Sequence, residues 1–218
     1  CDEESSEEQA ASKQPTSSEK KAEPSEAEQK PTPESAGLPA KKGATAVRLY
    51  DTESGFGMSW LEPSGAEGRD GSESSHALRF AEWDGSTWSD PTTVVEGPKL
   101  FTNWADLPSV QAVGSDHYLA HWLVRSDEKS TAYDIVFARS TDGGESWERL
   151  GSPHEDGTAT QHGFVSTAPV EGGTLAVWLD GRARAEGKDD EPVALRGRVV
   201  AAPNGTKGVD EEEPSPFE

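Results

Sequence analysis

The chain has 218 residues, of which 41 are acidic and 20 basic, giving a formal net charge of −21. So acidic a surface repels nucleic-acid phosphates and anionic lipid headgroups, which argues against both as partners and otherwise serves solubility. The single cysteine, Cys1, leaves no internal disulfide, and no stretch is long and apolar enough to span a membrane as a helix.

Residues 1–42 are mainly Glu, Ser, Lys, Pro, Gln and Ala, with no aromatic residue and Leu38 the only large aliphatic. Such a segment cannot bury enough surface to offset its ordering entropy, so it is expected to be a disordered, solvated stalk. Cys1 followed by a polar tail looks like a mature bacterial lipoprotein, its signal peptide removed and its first residue acylated; a boundary that falls on a cysteine by chance is the alternative. Acyl chains there would anchor the protein at ~0.8 kcal/mol per buried methylene. The expected location is then the bacterial cell envelope, on the periplasmic or the outer-membrane face.

Residues 43–205 repeat themselves. Met58-Ser59-Trp60-Leu61, Ala120-His121-Trp122-Leu123 and Ala176-Val177-Trp178-Leu179 are one element three times, with their Trp positions 62 and 56 residues apart. A Gly-, Asp- or Ser-rich turn precedes each copy, and a second strand-like run follows each: 77–81, 134–138 and 194–199. Short strands at even spacing, one aromatic motif per unit and almost no helix signal predict an all-β fold of β-propeller blades, with a two-sheet sandwich as the alternative. Two full units and most of a third are present, so the propeller is expected to be incomplete, a fragment or a truncated copy. The last residues, 206–218, are acidic and breaker-rich and are expected to be flexible.

Each second strand-like run leads to a turn. Asp84-Gly85-Ser86-Thr87-Trp88 is a degenerate form of Ser140-Thr141-Asp142-Gly143-Gly144-Glu145-Ser146-Trp147, and Pro203-Asn204-Gly205 keeps only the turn. Two glycines allow positive φ, Asp142 can accept from the turn's own amides, and Trp147 returns an apolar ring over the strands. With Ser140, Asp142, Gly144 and Trp147 in place, the pattern resembles the Asp-box, or BNR repeat, of sialidases and related propellers. The resemblance implies a structural hairpin on the rim away from the catalytic cleft.

Three segments place polar residues beside aromatic ones at strand ends. They are Asn103-Trp104-Ala105-Asp106, the loop that carries His162-Gly163-Phe164-Val165-Ser166, and Trp178-Leu179-Asp180-Gly181-Arg182. Their order and wording are similar to sialidase-like bacterial envelope proteins. That likeness implies a glycoside hydrolase acting on terminal sialic acid or a related glycan, with a glycan or glycoprotein as partner. A sialidase of this family uses three arginines on the substrate carboxylate, an aspartic acid as acid/base, and a tyrosine activated by a glutamate as nucleophile. The early Arg-Ile-Pro signature is missing, and Tyr118 and Tyr133 lie inside strand patterns as packing residues.

Asp106 is the candidate acid/base, because an apolar setting beside Trp104 and Leu107 would raise its pKa; capping the turn before Pro108 is its plainer role. Asp180 and Arg182 are candidates for the catalytic set, or else a local ion pair. Asn103, Trp104 and His162 are candidate substrate contacts. Trp83, Trp88 and Trp104 lack the repeat's explanation, and an exposed Trp could stack on a sugar. His117 and His121 share a strand face without a following Glu, so no zinc site is expected, and no cofactor motif appears. The competing reading is a non-catalytic propeller that binds a glycan or a protein through the same cleft.

Overall fold

The computed structural model describes residues 37–65, 75–126, 131–188 and 190–200. All belong to one compact unit, Pro31–Glu218. Cys1, most of the expected stalk, the 203–205 turn and the acidic end at 206–218 lie outside the described residues.

Eleven strands form three sheets among these residues, each an antiparallel meander in chain order. The first contains β1 (Thr45–Thr52), β2 (Gly55–Ser64), β3 (Ser75–Trp83) and β4 (Thr92–Gly97). The second contains β5 (Ser109–Gly114), β6 (His117–Arg125), β7 (Tyr133–Ser140) and β8 (Glu148–Gly151). The third contains β9 (His162–Val170), β10 (Gly173–Asp180) and β11 (Ala194–Val200), with one 3-10 turn, Arg182–Gly187, after β10. The three Trp-Leu units are β2, β6 and β10, and in each sheet the second strand pairs with both the first and the third. His162 to Ser166, expected in a loop, opens β9.

The period of two decides what each face touches. Trp122 points to the first sheet, packing with Leu61, Leu78, Phe80 and Val94. Trp178 points to the second, packing with Leu119, Leu123, Ile135 and Phe137. Trp60 points the same way on the first sheet, where Met58, Ala81, Ala40 and Ala44 surround it. The stalk expected to run to residue 42 therefore gives way earlier: Ala40 is packed, and the Lys41 amide donates to Glu62 at 3.3 Å.

Edges are tied as well as faces. The Val110 amide donates to Ser59 Oγ (3.2 Å), linking β5 to β2, and Thr167 Oγ1 donates to Gln111 Oε1 (2.7 Å), linking β9 to β5. Sheets stacked face to face in chain order, each a meander, are the blades of an all-β propeller, here three of them. The outer face of the third blade is bare among the described residues: Leu179, Leu195 and Val199 are all exposed there.

The hairpin between β7 and β8 shows what the Asp-box residues do. Asp142 Oδ1 accepts from the Ser146 amide (3.0 Å), Ser140 Oγ accepts from the Gly144 amide (2.8 Å), and Trp147 Nε1 donates to Gly144 O (3.1 Å). Its hydrogen bonds, first from the Ser146 hydroxyl, hold the Asp142 carboxyl down to about 2. The degenerate copy does the same with Asp84, which accepts from the Ser86 and Thr87 amides (both 2.8 Å). Trp147 stands edge-on to Phe80 of the first blade, with centroids 6.1 Å apart. Trp88 packs on Trp83 and Phe56, each at 5.6 Å, which corrects the idea that Trp83 and Trp88 are spare sugar platforms.

Gly144 combines φ +89° with a neighbour in the way: a Cβ there would stand 2.6 Å from Phe80 Cζ. Gly144→Ala is expected to lose about 2–4 kcal/mol, from left-handed strain plus overpacking. Gly143→Ala, at φ +74° with no contact closer than 3.9 Å, should lose only about 1–2 kcal/mol. Urea unfolding midpoints of the two variants check the difference.

Candidate functional site

In a meander the hairpins alternate between two ends. The Asp-box hairpin and the β5–β6 turn share one end, where the Gly143 amide donates to Asp116 O at 2.9 Å. The β4–β5, β8–β9 and β10–β11 connections gather at the other. The candidate catalytic and substrate-binding residues Asn103, Trp104, Asp106, His162, Asp180 and Arg182 lie at that second end, but they form two groups there, not one.

Asp106 belongs to the first group. Asn103 caps the turn, its Oδ1 accepting from the Ala105 (2.8 Å) and Asp106 (2.6 Å) amides. The capping role considered for Asp106 thus falls to Asn103. Asp106 instead reaches 58 residues along the chain, where its Oδ2 accepts from the Phe164 amide at 2.7 Å. Tyr133 adds a hydrogen bond. Gly163 is required beside them, since any Cβ would run into Asp106 Oδ2 and the Tyr133 ring. Phe164 takes φ +56°, uncommon for a bulky residue, where β9 bulges against β10. Asp106 is only 2% exposed and its Oδ1 has no hydrogen-bond partner. Burial raises its pKa, against the Phe164 amide, the Tyr133 hydroxyl and the charge of Arg48, all of which lower it. The raised value was expected from Trp104 and Leu107, but Trp104 stands 93% exposed and contributes no such cover.

The first strands of the three blades, β1, β5 and β9, line a cavity of about 230 Å³. Arg48, Ser109, Gln111, His121, Ser166 and Thr167 are its polar walls. His121 is buried, which lowers its pKa to about 4, so it is a neutral ring with Nδ1 3.1 Å from Ser109 Oγ. Arg48 is exposed and has no carboxylate at ion-pair distance among the described residues. Sequence reasoning passed it over because its strand carries no motif. The only available signal was a lone cation in the strand before the first Trp-Leu unit.

The second group is a buried ion network. Asp180 is fully buried. Its Oδ1 accepts from Arg182 Nε (2.7 Å), and its Oδ2 accepts from Arg182 Nη2 (2.8 Å) and Trp178 Nε1 (3.0 Å). Burial opposes ionisation, yet Arg182 and Trp178 outweigh it and hold the carboxyl at about 2. Arg182 also reaches Asp156 at 3.2 Å. His162, fully buried, sits between carboxylates: Nε2 is 3.1 Å from Asp156 and 3.8 Å from Asp180, and Nδ1 is 3.5 Å from Asp134. It therefore lies inside the wall, not on the surface where a sugar would meet it. His154 stacks on it with centroids 3.8 Å apart, and its Nε2 accepts the Ile135 amide at 3.2 Å.

Donor atoms of Asp134, His154 and His162 lie within 4.8 Å of one another, as do those of Asp156, His162 and Asp180. Neither set was foreseen. In the second set Arg182 already bridges Asp156 and Asp180, and in the first the Ile135 amide already occupies His154 Nε2. The cluster is best described as an ion network in which Asp156 and Asp180 meet Arg182 and the His162 ring. Burial alone would lower the His162 pKa, but Asp134, Asp156 and Asp180 more than offset it and raise it; His154, buried beside that charge, falls to about 4.

The fold and this end of it define a β-propeller face with one polar axial cavity. No protein-family model matches the chain, and no curated protein matches it in sequence. Among solved structures it is similar to a Penicillium chrysogenum alpha-L-arabinanase complexed with arabinobiose, at 13% identity and TM-score 0.47, over 72% of this chain and 45% of that one. It is also similar to a glycoside hydrolase at 14% identity and TM-score 0.39, over 80% of this chain and 50% of that one. The chain spans about half the length of either.

A group whose folded pKa is raised stabilises fully below its ordinary value and loses that contribution as pH rises through the folded one. His162 should therefore hold the network together at pH 6 and release it above its raised pKa, while His154 stays neutral throughout. Imidazole NMR titration checks this: His162 is expected to titrate above 6.5, and Asp134→Asn to move it down.

Proposed function

We propose that these blades form part of the sugar-binding face of a sialidase-like propeller, with terminal acidic sugars as ligands and glycoside hydrolysis as the activity of the protein they belong to. The axial cavity carries this reading. At about eight water volumes, it is on the scale of a single sugar unit. The planar Arg48 fork suits a carboxylate, and Ser109, Gln111, Ser166 and Thr167 offer the donors and acceptors that sugar hydroxyls need. Asp106, close enough for Arg48 to perturb it, is a carboxyl biased towards its protonated form, as a general acid requires. The exposed ring of Trp104 offers a stacking surface on the same end.

One observation favours the second reading, recognition without turnover. Asp180 and Arg182 neutralise each other, and Asp106 is closed beneath Gly163, so no carboxylate of the expected set stands open to a glycosidic oxygen. The envelope setting belongs to the same proposal, with the anchor at Cys1; palmitate labelling that Cys1→Ala abolishes is its test.

The deciding experiment uses the full-length protein with a fluorogenic sialoside and with immobilised sialylated glycans. Hydrolysis predicts release, an increase in KM of about tenfold or more for Arg48→Gln, and a fall in kcat for Asp106→Asn. Recognition alone predicts no release but glycan binding that Arg48→Gln weakens to a similar degree. Binding and release both unchanged in Arg48→Gln would reject the axial cavity.

A further inference from the structure

A second cavity, of about 630 Å³, opens on the flank between the first and second blades. It is independent of the axial one in position and in chemistry. Its walls are Val94, Leu100 and Val124 with the rings of Trp122 and Trp147; the two indole N–H groups are the only uncharged hydrogen-bonding side-chain groups in its lining, and that of Trp147 is already given to Gly144 O. A sugar's hydroxyls would find few neutral partners there, whereas an aliphatic or aromatic body would lie against apolar walls.

Three cations, Lys99, Arg125 and Arg149, line the same space in a chain of net charge −21. They are brought together by main-chain pairing: the Arg125 amide donates to Lys99 O at 3.2 Å, and Leu100 bridges Val124. None has a carboxylate at ion-pair distance among the described residues. The contrast with Arg139, which meets Glu148 at 2.8 Å just outside, marks the difference. Glu96 is the one acid in the wall and reaches none of the three within that distance. The two guanidinium groups are held by rings instead: Arg149 lies 5.7 Å over Trp122, and Arg125 5.1 Å over Phe101. A guanidinium held over a ring rather than by a carboxylate keeps N–H donors for an oxyanion.

We infer that this flank cavity binds an amphiphilic anion, an apolar body ending in a carboxylate, sulfate or phosphate. Its apolar part lies against Val94, Leu100, Val124 and Trp147, and its oxyanion meets Lys99, Arg125 and Arg149.

The test is calorimetric titration of the full-length protein, with tryptophan fluorescence as a second readout, using decanoate, decanol and inorganic sulfate as probes. Decanoate is expected to bind and to change the Trp122 and Trp147 emission, with decanol and sulfate each at least about tenfold weaker. Arg125→Gln/Arg149→Gln should weaken decanoate about tenfold or more and leave decanol unchanged. Arg125→Lys/Arg149→Lys should stay within a few-fold, which separates lost charge from lost packing, and thermal melts confirm that each variant is folded. Phosphatidylglycerol vesicles, run against free decanoate, tell a lipid headgroup from a soluble anion. Decanoate binding no tighter than decanol, or binding indifferent to the Gln pair, would overturn the inference. Neither result bears on the axial cavity, whose Arg48→Gln variant should bind decanoate normally.

Discussion

The second and third blades each present one indole, Trp122 or Trp178, to the sheet before it, while Trp60 of the first blade is covered by Ala40 and Ala44; all three rings are at most 2% exposed. A two-faced sheet has no independent interior, so this face-to-face burial is what makes the blades a structure at all. Removing such a ring from a packed interior costs about 3–5 kcal/mol, a large share of what a domain of this size has to spare. The direction of the indoles also orders the stack. Trp122 and Trp178 both look towards the N-terminal neighbour, so neither blade can be inverted without exposing its ring. The Asp-box hairpin works on the same seam, since Trp147 crosses from the second blade to Phe80 of the first.

Burying an indole leaves its N–H to be satisfied, and the chain does so with an acid two residues on. Trp60 donates to Glu62 at 2.9 Å, and Trp178 to Asp180 at 3.0 Å. An arginine directly across the ladder from each Trp, Arg79 or Arg196, then faces the buried carboxylate, at 2.6 Å and 3.8 Å. The second blade has Val124 and Val136 in the corresponding places. Ionic pairs of this kind add little net stability once desolvation is counted, but they penalise misregister strongly. Around Asp180 the pair grows to include Arg182, Asp156, His162 and Asp134, and so fixes the β8–β9 and β10–β11 connections at that end of the blades.

The blades were legible in the sequence because their signals are local. Trp-Leu units, glycine turns and the Asp142 turn each act within eight or so residues, and those among the described residues formed as expected. The Asp180–Arg182 pair was readable for the same reason. What could not be read were partnerships across blades. Asp106 and Phe164 are 58 residues apart, and nothing in Asn103-Trp104-Ala105-Asp106 announces an amide that far away. His162 looked like a loop residue because its neighbours are Gln161 and Gly163; only the closing of β9 onto β10 turns it inward. Arg48 escaped notice because a strand residue becomes a ligand group only when other strands converge on the same axis. Trp83 and Trp88 misled in the opposite sense, since each satisfies the other across a hairpin.

Arg48, in the wall of the axial cavity, and Asp106, buried within reach of its charge, are coupled in a way that bears on chemistry. Burial pushes Asp106 towards its acid form, and the Arg48 cation pulls it back. An anionic sugar seated against Arg48 would cancel that pull while excluding water, and both changes favour the proton on Asp106. An uncharged sugar would do only the second. On the proposed reading, the acid is therefore most fully protonated when the ligand carries a carboxylate, so discrimination between acidic and neutral glycans arises in protonation as well as in binding. The geometry asks one more thing of it. Asp106 Oδ1 is the unpartnered oxygen, enclosed beside Gly163 and Phe164, and the strained φ of Phe164 lies at the hinge where β9 would have to yield for that oxygen to meet a ligand.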